Sequence, residues 1–220
     1  MRTPSYFFVN KLLMHPAAKP VVFGLALLPL CWLVGAVATD ALGANPAEAL
    51  IRSLGDWTLR MLCLVLAVTP ARVMTGTPAL ARFRRMLGLF VFFYAMLHLL
   101  AYAWFDMGFD GAEIARDVAK RPFILVGMLA GLWLLVLAAT SFNRAIRWMG
   151  APRWRMLHRA VYAIAVLAIL HFYWMRAGKN DFAEVAVYAV LLAALLGWRV
   201  WHRLQQRRKP PAPARASGGY

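Results

Sequence analysis

Long apolar runs separated by short polar clusters dominate the chain. Uncharged stretches cover 20–39, 86–105 and 122–143, each close to the roughly 20 residues that a helix needs to cross a bilayer. A shorter run, 160–175, extends back through His158, and 185–198 is shorter again, with Arg199 placed to snorkel toward an interface. The weakest candidate is 57–69, which Arg60 interrupts and Pro70 closes. Pro29 stands midway along the first run and predicts a kink there.

Charge placement decides the number of spans. With six spans, alternate connections segregate by sign. One side carries Arg2, Lys11, Lys19, Arg72, Arg82, Arg84, Arg85, Arg144, Arg147, Arg153, Arg155 and Arg159, followed by the basic tail from Arg199 onward, and no acid. All nine acids fall on the other side: Asp40, Glu48, Asp56, Asp106, Asp110, Glu113, Asp117, Asp181 and Glu184. Removing the weak second span scrambles this order, so the expectation is an all-α integral membrane protein, a six-helix transmembrane bundle. The excess of Lys and Arg then places both termini in the cytoplasm and the acidic connections outside, in a bacterium the periplasm.

Composition agrees. The chain is 62% hydrophobic and 15% charged, with a mean hydropathy of +0.60, against about 45–50% and about 25% in soluble domains. The net charge of +16 could suggest nucleic acid as a partner, but that hydrophobicity excludes it. The basic residues read as topology determinants with a secondary attraction to anionic membrane lipid. Cys31 and Cys63 form no CxxC pair and read as small core residues. The layout expected is a cytoplasmic segment (1–20), a transmembrane domain (21–203) and a disordered, basic, Pro-rich cytoplasmic tail (204–220). The first apolar run starts near Val21 with no clean cleavage site after it, so no removable signal is expected.

Candidate chemistry lies in the histidines. Ionisable side chains inside membrane-length segments are costly and point to function, and histidine in a helical bundle is a strong haem ligand. At a rise of about 1.5 Å per residue, His98 falls in the outer half of the third span and His171 at similar depth in the fifth. One haem between them would have two axial nitrogens, which suits electron transfer. His158 lies about 20 Å deeper toward the cytoplasm and about 220° around the helix from His171. It could ligate a second haem, touch a flavin or quinone, or sit at the interface. His15 and His202 read as interfacial. Arg60 could snorkel or pair with a haem propionate, and the propionate is favoured. Tyr94, Tyr102, Tyr173 and Trp174 flank the outer level and read first as interfacial belt residues.

The strings LRMLCLVLAVTPAR (59–72), RRMLGLFVFFYAMLHLLAY (84–102) and RWRMLHRAVYAIAVLAILHFYW (153–174) together resemble the MsrQ family. These are haem-binding membrane subunits of the bacterial periplasmic methionine sulfoxide reductase system, related to ferric-reductase and NADPH-oxidase membrane domains. The likeness runs from about Val21 to Trp201. It implies that His98, His158 and His171 are the haem and iron histidines, and that the cofactors are haem b, one or two, and FMN. It also implies a location in the bacterial inner membrane and a heterodimer with a molybdopterin-containing catalytic subunit that reduces methionine sulfoxide in oxidised periplasmic proteins. The inner position of the third span carries Arg84 and Arg85 where two-haem oxidases have histidine.

The sequence carries no G-x-G-x-x-G fingerprint and no evident molybdenum site or nucleophile. The expected role is therefore an electron-transfer subunit rather than the catalytic one. Its donor would be the quinone pool or a cytosolic flavin reductase. The alternatives are a stand-alone ferric, metal or oxygen reductase of the same architecture and, from another class, a small transporter. The transporter lacks the repeats and broken helices such proteins often show.

Overall fold

The computed structural model describes residues 4–178 and 180–208. Among them every regular element is helical. A short helix, α1 (Pro4–Met14), precedes the first long one, α2 (Ala18–Ala38). Then come α3 (Pro46–Met74), a 3₁₀ segment (Pro78–Phe83), α4 (Arg84–Ala101) and a π-helical turn (Tyr102–Asp106). Next are α5 (Gly111–Lys120), α6 (Pro122–Ala139), α7 (Asn143–Met149), α8 (Ala151–Leu157), a 3₁₀ turn (His158–Ala160), α9 (Val161–Ala177) and α10 (Ala183–Arg208). Six stretches are long and apolar enough to cross a membrane, and they include the six the sequence suggested. The protein is a multi-pass membrane protein.

The weak second span is stronger than its sequence implied. Its helix starts at Pro46, where proline's missing N–H is no loss, and Asn45 caps it by accepting from the Glu48 N–H at 3.2 Å. The stretch 46–56, expected as part of a connection, is therefore helical. The helix also runs through Pro70 to Met74. Pro70 cannot donate to the Leu66 carbonyl one turn back, and the Arg199 guanidinium donates to that carbonyl instead. In lipid such a freed carbonyl needs a substitute donor. Arg199, expected to snorkel, is thus buried and turned inward.

Two helix pairs, α3 with α4 and α6 with α9, make the most extensive contacts, and α4 joins α6 to bring them together. Leu33, Leu62, Val91, Tyr94 and Ile164 are fully buried between the helices. Tyr94 donates to the Ala26 carbonyl at 2.7 Å and so pins α2 to the centre, which corrects its reading as a belt residue. Helix α2 is peripheral and turns Phe23, Leu25, Leu28 and Trp32 outward, as a lipid-facing helix should. Cys63 is buried as expected, but Cys31 is exposed on this outer face.

Each end of the bundle is fastened by polar contacts. At the basic end Arg82 donates to the Leu13 carbonyl at 2.7 Å and ties α1 to the α3–α4 connection. At the acidic end the buried Arg176 binds Asp181 at 3.0 Å and Glu184 at 2.8 Å, closing the turn from α9 to α10. Helix α10 continues to Arg208, so residues 204–208 of the expected disordered tail are helical, because the helix simply outruns its apolar stretch. The remainder, 209–220, lies outside the described residues.

Candidate functional site

Four helices leave a cavity of about 570 Å³ between them at the acidic end, within the roughly 300–1,000 Å³ usual for cofactor sites. Its wall is mostly apolar, with Leu59, Leu62, Val91, Ile124, Leu134, Ile164 and Phe172 among the lining residues. His98 from α4 and His171 from α9 both line it. Their ring centroids are 6.2 Å apart and the rings are nearly perpendicular, at 81°.

Both imidazoles are held in the same way. The His98 Nδ1–H donates to the Ile51 carbonyl on α3 at 2.9 Å. The His171 Nδ1–H donates to the Phe123 carbonyl on α6 at 2.6 Å. A carbonyl only accepts, so each proton sits on Nδ1 and each Nε2 keeps its lone pair. Such a bond from the far ring nitrogen is the usual way a ligating histidine is oriented.

One turn after each of these carbonyls stands a glycine, Gly55 on α3 and Gly127 on α6. A Cβ on Gly127 would lie 2.8 Å from the His171 ring, and one on Gly55 would lie 3.2 Å from the His98 ring. The glycines are flat seats on which the imidazoles rest against helix backbone. Carbonyl and seat together form a device of two parts, and it occurs twice.

These residues fit an axial pair on a porphyrin iron. Two metal–nitrogen bonds of about 2 Å, plus about 1 Å from each nitrogen to its ring centre, place imidazole centres about 6 Å apart. Among the described residues, no group of three or more His, Cys, Asp and Glu side chains could hold a metal ion. The two imidazoles offer two neutral nitrogens, a set that a haem would complete with its own four.

The other expected residues stand elsewhere. His158 lies in the 3₁₀ turn between α8 and α9 and does not line the cavity. It stacks on Trp154 with ring centres 3.9 Å apart. Its Nδ1 bonds the Trp154 carbonyl at 3.1 Å, and its Nε2 faces the Ser141 hydroxyl at 3.4 Å. Arg60 donates through Nε to the Tyr188 hydroxyl at 3.0 Å and lies over the Trp57 ring, outside the cavity lining. His15 and His202 are also outside it; His202 stacks on Trp198. Of the tyrosines, Tyr102 lines the cavity and donates to Asp117 at 2.8 Å. Tyr173 and Trp174 are exposed, as belt residues would be.

Sequence reasoning missed Gly55 and Gly127, and also Arg52 and Arg121, which line the cavity. The glycines had a signal, since IRSLG (51–55) and FILVG (123–127) each end a helical turn in glycine near the acid-bearing end. The two arginines had none beyond their charge.

Comparison with known proteins places the chain in a family. The family described as "Ferric reductase like transmembrane component" matches residues 54–169, which hold His98 and His158 and end two residues before His171. The chain is 66% identical over 200 residues to the "Protein-methionine-sulfoxide reductase heme-binding subunit MsrQ" of Polaromonas naphthalenivorans, covering 91% of both chains. Proteins of the same name match from Ralstonia nicotianae, at 53% identity over 84% of this chain and 85% of that one, and from Xanthomonas campestris pv. campestris, at 44% over 90% and 96%. No solved structure matches.

Proposed function

We propose a function from one premise: the chain belongs to the MsrQ family, and through it to the ferric-reductase-like transmembrane components. It is the haem-binding membrane subunit of a protein-methionine-sulfoxide reductase. It carries electrons across a bacterial inner membrane to a periplasmic catalytic subunit, a molybdopterin enzyme that repairs oxidised proteins. The observation that carries this reading is the pair of imidazoles, 6.2 Å apart, facing one cavity. The pair would hold haem b, which would supply one-electron transfer.

The chain's own residues divide the work. His98 and His171 would bind the haem iron through Nε2, while the Ile51 and Phe123 carbonyls hold the rings in place through Nδ1. The apolar wall excludes water from the ring faces. The basic end, with His158 and Trp154 stacked, is the entry side. Its donor is the quinone pool or a cytosolic flavin reductase, and the FMN implied by resemblance belongs there. The acidic end faces the periplasmic subunit. Outward electron flow also follows the membrane potential, worth about 2.3 kcal/mol per 100 mV for a full crossing.

Purified protein should show the Soret band and low-spin EPR signal of a bis-histidine haem. In oriented proteoliposomes, a donor supplied only inside should reduce that haem. The catalytic subunit and a sulfoxide supplied only outside should reoxidise it in stopped-flow traces. No Soret band would remove the whole reading. Reoxidation that needs the catalytic subunit on the inside would reverse the direction.

A further inference from the structure

The cavity is charged at one end only. Arg52 on α3 and Arg121 at the start of α6 are the only lysines or arginines among its described lining residues. With them at that end stand Glu48, Asp56 and Asp106. Every other lining residue is apolar or uncharged apart from the two histidines. A haem is amphipathic in the same sense, because both of its carboxylates leave from one edge of an apolar ring.

We propose that Arg52 and Arg121 hold the two haem propionates and so fix the haem with its carboxylate edge toward the acid-bearing end. The inference rests on the haem reading above. Arg121 uses Nε on Asp117 at 2.9 Å, and both of its terminal nitrogens belong to a fork suited to a second carboxylate. Arg52 contacts Glu48 through one terminal nitrogen and lines the same cavity. These acids hold the guanidiniums at the rim rather than replacing their ligand. Without the arginines, the charged lining residues left for two propionates at this end would be Glu48, Asp56 and Asp106, all of like charge. Arg60, the cation the sequence favoured for this task, does not line the cavity; it bonds Tyr188 and lies over the Trp57 ring.

The same arrangement explains the cap on this end. Tyr102 donates to Asp117, and Asp117 in turn binds Arg121. The π-helical turn, α5 and the start of α6 are thereby joined at the point where the propionates would emerge. Arg121 is held from one side by the protein and presented to the cavity from the other.

The test uses the full chain in detergent. Arg52→Gln and Arg121→Gln should each keep the bis-histidine spectrum but lose haem to apomyoglobin about tenfold faster or more, the scale of one charge-assisted hydrogen bond. Their midpoint potential should fall, because a cation near the iron favours the reduced state. Arg60→Gln should match the wild type in both respects. A second measurement needs no variant: apoprotein is titrated with haem and with its propionate dimethyl ester. The ester, which loses both contacts, should bind wild type about a hundredfold more weakly. Equal binding of haem and ester, or an Arg60→Gln effect as large as the other two, overturns the assignment. A wild type that binds neither overturns the haem reading beneath it, and the two failures are thus distinct.

Discussion

His171 and His158 lie thirteen residues apart in the same membrane span, yet the fold treats them oppositely. Around His171 everything is supplied by other helices: the Phe123 carbonyl and Gly127 seat from α6, and the facing His98 from α4. Around His158 the nearest partners are local or incidental: the Trp154 carbonyl and ring one turn back, and Ser141 across the gap. On the proposed haem reading, the ligating histidine is the one whose far nitrogen is fixed by distant backbone while the other nitrogen is left to the cavity. Being buried in an apolar helix is not enough.

The largest expected effect tests this division directly. His98→Ala and His171→Ala should each abolish the low-spin bis-histidine signal, since each removes half of the axial set. His158→Ala should leave that signal in place. Absorbance and EPR of the three purified variants give the answer. A bis-histidine signal that survives loss of His98, or disappears with His158, breaks the comparison.

The seats come next. Gly127→Ala places a Cβ 2.8 Å from the His171 ring, too close without a shift of the ring or of α6. Overpacking of this kind costs about 1–3 kcal/mol. Haem content should drop and the melting temperature of the purified protein with it. Gly55→Ala, with 3.2 Å to His98, should do the same more mildly. If Gly127→Ala holds haem as tightly as wild type, the seat is not part of the site.

Much of this was legible beforehand, and the exceptions have physical causes. Six spans, and the depth match of His98 and His171, follow from hydropathy and rise per residue alone. The second span looked weak because Arg60 and Pro70 were judged in isolation. In the fold Tyr188 takes the arginine, and Arg199 donates to the carbonyl that proline leaves free. Both partners come from α10, more than a hundred residues away. Arg60 was favoured for a propionate because its depth suited one, but depth says nothing about which way a helix is turned. Tyr94 was misread for the same reason. The glycine seats were visible as letters, but their meaning needed the opposing helix.

The two ends of the bundle can be compared as well as the two histidines. Charge segregation puts the acidic connections outside. A cysteine at Gly111, in the exposed first turn of α5, should react with an impermeant thiol reagent on intact spheroplasts. One at Arg147, on α7, should react only after lysis. The background should be a Cys31→Ser variant, because Cys31 is exposed. The reverse labelling pattern would invert the topology and with it the direction of electron flow. Neutralising Asp110, Glu113 and Asp117 would be a poor probe of docking at the acidic end. Asp110 caps α5, Glu113 pairs with Arg116, and Asp117 holds Tyr102 and Arg121. Their removal would disturb the helix itself.

The smallest effect concerns what surrounds His158. Trp154 donates through Nε1 to the Thr140 carbonyl at 2.9 Å, just past the end of α6. Phenylalanine there keeps a ring for His158 to stack on and leaves the Trp154 backbone carbonyl untouched, but it removes that one donor. A single neutral hydrogen bond contributes about 1 kcal/mol, and a carbonyl this near the interface can find water in exchange. Trp154→Phe should therefore lower stability by about 1 kcal/mol or less, read from thermal melting in detergent. The bis-histidine spectrum should not change, because none of the groups that hold His98 or His171 comes from α8. Reduction by an inside donor is the readout that could still move, since this pair stands on the proposed entry side. Slower reduction with an unchanged spectrum places Trp154 and His158 on the electron route. Unchanged reduction leaves them as scaffold. A changed spectrum would mean that the basic end is coupled to the cavity after all, and that the two histidines of this span are less separate than their contacts make them.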